Sequence, residues 1–209
     1  MEKRTKTDKT KDAALIGGGL LFAWWLLSSA KNSGDDSAPG AGGIVSKYYT
    51  IKDVQASNVA AAKGISEQFG PLNAETIKNV NLFIRNVLDP LTTILGHKLD
   101  IESWWRSPRL NAAVGGVPGS FHEKGEAIDA DAINSSGVID NRRLVKAMFK
   151  YQIPFTEMII YGSVSKPTQI HLAFDPARPN EKEFLLKVGD TYNTLNVASV
   201  MQQYGAVEV

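Results

Sequence analysis

Residues 119–132, GSFHEKGEAIDADA, place His122 seven positions ahead of Asp129, with Gly125 between them and small residues around the aspartate. Alternation along a strand carries Ala127, Asp129 and Asp131 on one face, opposite Glu126 and Ile128. Gly125 allows a tight turn between the histidine and that strand. A second stretch, TQIHLAF, puts Ile170, Leu172 and Phe174 on an apolar face and turns His171 to the other side. Pairing of the two strands would gather His122, Asp129 and His171. Two imidazoles and a carboxylate suit a zinc ion with one coordination position left for chemistry. Each residue alone also has a plainer reading: a strand histidine as a hydrogen-bonded structural group, an aspartate as a turn or cap residue. Spacing leaves both readings open.

Composition narrows the remaining choices. Lysine and arginine total 23 against 22 aspartate and glutamate, so the net charge of +1 gives no global attraction to nucleic acid. The chain has no cysteine, which excludes disulfides, thiolate metal sites and cysteine nucleophiles. Any metal must therefore use histidine and carboxylate, and only His97, His122 and His171 are available as histidines.

The N-terminus divides into three stretches. MEKRTKTDKTKD, residues 1–12, carries five basic side chains and reads as a cytoplasmic tail. Residues 13–30, AALIGGGLLFAWWLLSSA, contain no charge. A helix of about 17–25 apolar residues crosses a bilayer, so this stretch predicts a transmembrane anchor, with Trp24 and Trp25 suited to an interface. A cleaved signal peptide is the alternative, with SSA before Lys31 as its cleavage site. The basic excess ahead of the span places the N-terminus in the cytoplasm and the rest outside, on the periplasmic side or at a viral membrane. Residues 31–43, KNSGDDSAPGAGG, have the composition of a flexible linker.

A folded domain is expected over 44–209. Thr50 caps a short helical pattern, and a longer one runs from a cap at Asn73 to Gly96, interrupted or kinked at Pro90. Strands follow at KLDIESWW, GEAIDADA, FTEMIIY and TQIHLAF, with a helix at NRRLVKAMFKYQ. Helices followed by antiparallel-looking strands predict an α+β fold: a helical N-terminal part packed on a small antiparallel sheet. The region after Asp175 would finish the sheet and add a helix near 194–204.

SFHEKGEAID reads Ser-x-His-x-x-Gly-x-Ala-x-Asp, and in this it resembles the metal-binding signature of the zinc D-Ala-D-Ala carboxypeptidases. That family includes phage L-alanyl-D-glutamate endopeptidases and has the hedgehog/DD-peptidase-type fold. SWWRSPRLNAAVGGVPGS resembles its arginine-bearing segment, IPFTEMIIYG its next strand and QIHLAF the strand of its last histidine, so the likeness covers roughly residues 47–175. The resemblance implies one zinc per chain on His122, Asp129 and His171. It gives Arg106 the role of steadying the scissile carbonyl or a substrate carboxylate, and Ser120 and Tyr161 contact with substrate. Trp104 and Trp105 are expected to pack the core or a groove wall.

The chain departs from the pattern at one position. Members of that family with well-described chemistry carry a glutamate or aspartate three residues before the final histidine, as general base and then general acid; here that position is Thr168. Glu157 and Tyr161 on the preceding strand, or Asp131 beyond Asp129, are the available substitutes. The resemblance thus implies a membrane-anchored zinc metallopeptidase acting on the peptide stems of bacterial peptidoglycan, with possible phage origin. The alternative is a catalytically impaired binding or structural virion module of the same fold.

Overall fold

The computed structural model describes residues 43–207 and 209, within a compact unit that spans Pro39–Val209. The expected tail at 1–12, span at 13–30 and nearly all of the linker at 31–43 lie outside the described residues. Among the described residues, no helix is long and apolar enough to cross a membrane.

The chain begins with short helices α1 (Ile51–Gln55) and α2 (Asn58–Ala62). At the first, Thr50 and Asp53 form the reciprocal cap: the Asp53 carboxylate accepts from the Thr50 amide at 2.7 Å. Asn73 starts α3 (Ala74–Phe83) by accepting from the Thr76 amide at 2.8 Å. A π-helical turn over Ile84–Leu88 leads into α4 (Asp89–Leu95). Pro90 explains the break: it has no N–H to give the carbonyl four residues back, and a wider turn relieves its ring. Gly96 ends the run at φ 78°, a left-handed conformation that glycine adopts without cost.

The remaining elements are β1 (Asp100–Ser103), α5 (Pro108–Ala113), β2 (Ala127–Asp131), α6 (Asn141–Lys150), β3 (Glu157–Gly162), β4 (Pro167–Ala173), β5 (Glu183–Val188), β6 (Thr191–Thr194) and α7 (Val197–Gln203). Six strands form one sheet in the order β1-β2-β4-β3-β5-β6. The α+β expectation and the C-terminal helix agree with this architecture. The all-antiparallel expectation does not, because β3 and β5 run parallel. Connectivity is the reason. β2 already occupies one side of β4 and β3 the other, so the next strand pairs on the free side of β3. Residues 174–182 carry the chain past the start of β3, where the Glu183 amide donates to the Thr156 carbonyl at 2.9 Å.

Strand alternation gives the sheet two unlike faces. Ile128, Ala130, Met158, Ile160, Ile170, Leu172 and Phe184 form one core with Val80, Phe83, Leu88 and Leu91 of the long helical run and Leu144 and Met148 of α6. Burying each such large apolar side chain contributes about 1.5–3 kcal/mol. The opposite face carries Asp129, His171, Glu157 and Tyr161. Helices thus cover one side of the sheet and leave the polar side to the site.

Candidate metal centre

Asp129 and His171 are direct cross-strand partners in the β2–β4 ladder. Their side chains therefore share the polar face, and the His171 Nδ1 lies 2.8 Å from Asp129 Oδ1. His122 arrives from the preceding loop. Its Nε2 is 3.3 Å from His171 Nδ1 and 3.3 Å from Asp129 Oδ2. One ligand atom from each of the three residues fits within a mutual spacing of 4.8 Å. Nitrogen, nitrogen and carboxylate oxygen at this spacing fit a zinc ion.

The loop is held by the tryptophan segment. Trp104 is fully buried, meets Tyr49 and Phe83 edge-on, and donates its indole N–H to the Gly125 carbonyl at 3.0 Å. Trp105 donates to the Glu123 carbonyl at 3.1 Å, and the Arg106 amide to the His122 carbonyl at 3.1 Å. Gly125 makes the turn at φ 78°, where a Cβ would stand 2.7 Å from Val80 Cγ2. Only glycine fits both the conformation and the space.

Hydrogen bonding sets the state of each ring. His122 Nδ1 faces the Trp104 carbonyl at 2.7 Å and must carry the proton there, which leaves Nε2 as a lone pair toward its neighbours. Burial lowers the His122 pKa and keeps the ring neutral, against the pull of Asp129. His171 has an acceptor on both sides, Asp129 at Nδ1 and Glu157 Oε1 at 3.4 Å from Nε2. Burial opposes its charge, but hydrogen bonds from the two carboxylates and their charges push its pKa up to about 9. Burial works against the charge of Asp129 too, yet the hydrogen bond and charge of His171 hold its pKa well below the usual range.

Arg106 donates to Asp129 through its terminal nitrogen and to Ser103 Oγ through Nε at 2.8 Å. Its guanidinium is thereby fixed beside the ligand carboxylate, with further N–H groups left over. Asp131 occupies the ligand face one pleat beyond Asp129 and accepts from Asn141 Nδ2 at 2.6 Å through Oδ1. Burial raises its pKa, aided by the charges of Glu102 and Asp100. Tyr161 shares the face of Glu157, and burial pushes its pKa up to about 12. Ser120, two residues before His122, donates its hydroxyl to Asn111 Oδ1 on α5 at 3.2 Å. His97 sits in the turn after α4, with its ring at the Lys98 carbonyl, and takes no part.

Thr168 is exposed near the start of β4, where the register of the β3–β4 ladder shifts between Tyr161 and Gly162. It stands against Gly162, where an added Cβ would come within 2.9 Å of its hydroxyl. The third position before the last histidine therefore packs at the end of β3. Two groups at the site escape the sequence reading. One is the Trp104 carbonyl, a backbone atom with no residue-type signature. The other is Glu102, which the register shift in β1 brings into contact with Gln169 Nε2 on the ligand face.

A search of curated proteins found no match to the chain. The sequence profile of Peptidase M15 matches residues 47–172, which includes β1 to the penultimate residue of β4 and every candidate ligand. With that match over more than half of its length, the chain belongs to the peptidase M15 family.

Proposed function

We propose that this peptidase is zinc-dependent and hydrolyses the peptide stems of bacterial peptidoglycan. The observation that carries the reading is the convergence of His122 Nε2, Asp129 and His171 Nδ1 on one point, in a chain of this family. Zinc held by those three residues would supply Lewis acidity at the centre.

The protein's own groups have separable tasks. The Trp104 carbonyl and the Glu157 carboxylate hold the two imidazoles with one nitrogen each turned to the centre. Glu157 is thereby a positioning residue. Arg106 offers its remaining N–H groups to the scissile carbonyl oxygen as negative charge grows there. Asp131 keeps Oδ2 clear of hydrogen bonds among the described residues while Asn141 holds Oδ1. Its raised pKa suits taking a proton from the attacking water and returning it to the leaving amine. Ser120 and Tyr161 complete the substrate contacts. The apolar run at 13–30 and the basic excess before it support a membrane anchor with the peptidase domain outside the cytoplasm, on the periplasmic side or at a viral membrane.

Purified full-length protein incubated with isolated peptidoglycan tests the proposal. Zinc-dependent release of new amino groups is expected, abolished by a chelator and restored by zinc. Tight zinc and stem-peptide binding with no release would instead establish the catalytically impaired binding module.

A further inference from the structure

Beyond the metal centre, the ligand face continues onto strands that the family match does not include. Tyr161 pairs with Gln169 on one side and with Lys187 on the other, and Lys187 pairs with Tyr192. These side chains form a row across the sheet, one pleat from the row that holds Asp129 and His171. In that row the Lys187 ammonium is 5.6 Å from the Tyr161 ring centroid and 5.3 Å from that of Tyr192. Among the described residues it makes no ion pair. A lysine steadied between two rings, without a carboxylate, is a charge kept for a ligand.

We infer that Tyr161, Lys187 and Tyr192 form a subsite for a free carboxylate of the substrate, at a distance from the scissile bond. The inference rests on the peptidase reading for what the substrate is, but its geometry stands apart from catalysis. Lys187 is two strands and one pleat from His171, which at strand spacings of about 4.8 Å and 3.3 Å per residue separates their Cα atoms by about 12 Å. Lysine reach shortens that gap, and an extended peptide advances about 3.3–3.6 Å per residue. The recognised carboxylate then belongs to a residue about one to three positions from the bond cut. The two tyrosine rings flank the ammonium, and an uncharged carboxamide at the same place forfeits the charge-assisted contact. Strands β5 and β6 thus choose the substrate while β2, β4 and the loop before β2 hold the candidate metal ligands.

Binding of synthetic L-Ala-γ-D-Glu-L-Lys-D-Ala-D-Ala and of its two single carboxamides, one at the D-Glu carboxylate and one at the C-terminus, tests the subsite. Affinities are measured with full-length protein, zinc-free and zinc-loaded. One of the two amides is expected to bind about tenfold more weakly than the acid. Lys187→Met should erase that contrast while binding the same amide as well as wild type does, and Lys187→Arg should retain most of it. The wild-type contrast needs no variant and so survives a folding defect in Lys187→Met. Equal binding of acid and amides by wild type, no binding of any peptide, or a contrast undiminished in Lys187→Met overturns the subsite. A contrast that persists without any hydrolysis in zinc supports the subsite and removes the peptidase reading alone.

Discussion

His122 donates a hydrogen bond from Nδ1 to the main-chain oxygen of Trp104 across 2.7 Å, so a buried core tryptophan decides which nitrogen of a site histidine is free. Core packing and site chemistry meet at that bond. The partner arrangement at His171 uses a side chain instead, Glu157, and can therefore be altered by substitution.

Zinc binding follows from these contacts. The full-length protein should bind about one equivalent of zinc, with tight binding lost in His122→Ala and His171→Ala. Glu157→Gln should still bind, about 10–100-fold more weakly, as expected when the outer partner of a metal-bound histidine is changed. Chelator competition measures all three. Wild-type affinity in Glu157→Gln would remove its positioning role.

Under the proposed function, Asp131 carries the proton. Asp131→Asn should lower kcat by about 10²–10⁴-fold while zinc content stays at one equivalent. Thr168→Glu should leave activity unchanged, since Thr168 stands exposed against Gly162 at the start of β4. If Asp131→Asn remains fully active and Glu102→Gln does not, the proton carrier is the carboxylate at Gln169.

Arg106 should act on the reaction more than on the metal. Arg106→Ala is expected to reduce kcat/KM by about 10²–10³-fold and keep zinc binding. Arg106→Lys should recover little, because one ammonium cannot reproduce a fork that contacts Ser103 and Asp129 together. Recovery near the wild-type rate by lysine would show that charge alone suffices.

Gly125→Ala combines a left-handed φ of 78° with a methyl group 2.7 Å from Val80 Cγ2. Backbone strain and overpacking together should destabilise the protein by about 2–4 kcal/mol. Urea denaturation reads this directly, and an effect below about 0.5 kcal/mol would show that the loop relaxes freely.

Glu126 sets a pH dependence of stability. It lies on the face of β2 away from Asp129, with Oε2 buried and lacking a hydrogen-bond partner among the described residues. Burial, then the charge of Asp175, pushes its pKa from 4.5 up to about 7; Glu75 adds to the rise, whereas Lys124 and Arg178 oppose it. The folded state therefore keeps the proton where the unfolded state has lost it. Its contribution is fully present below about pH 4.5 and is lost as pH rises through about 7. Glu126→Gln should match wild type at pH 4 and exceed it at pH 8 by about 1–3 kcal/mol. Thermal unfolding at both pH values checks this, and a difference independent of pH would contradict it.

Period-two alternation made the polar face legible from residues alone, because Asp129 and His171 each flank apolar neighbours that must turn inward. The caps at Thr50, Asn73 and Gly96 were legible for the same local reason. Strand direction was not: β5 pairs parallel with β3 because of what already flanks β4, a relation that EFLLKV does not encode. Nor was the role of Trp104, since its indole announces packing while its carbonyl does the orienting. The orientation of Thr168 was not read from the sequence. The motif spacing drew attention to that position, but the strand geometry decides its direction.

The parallel pairing of β3 with β5 also bears on how this chain can be shortened. A fragment ending after Ala173 would keep all three candidate ligands, yet the amides and carbonyls of Glu157–Tyr161 that now meet β5 would become an unprotected sheet edge. Such an edge, bearing Met158, Ile159 and Ile160, templates pairing between molecules. The last two strands therefore guard against self-association, and minimal versions of this peptidase should be built to reach beyond Val188.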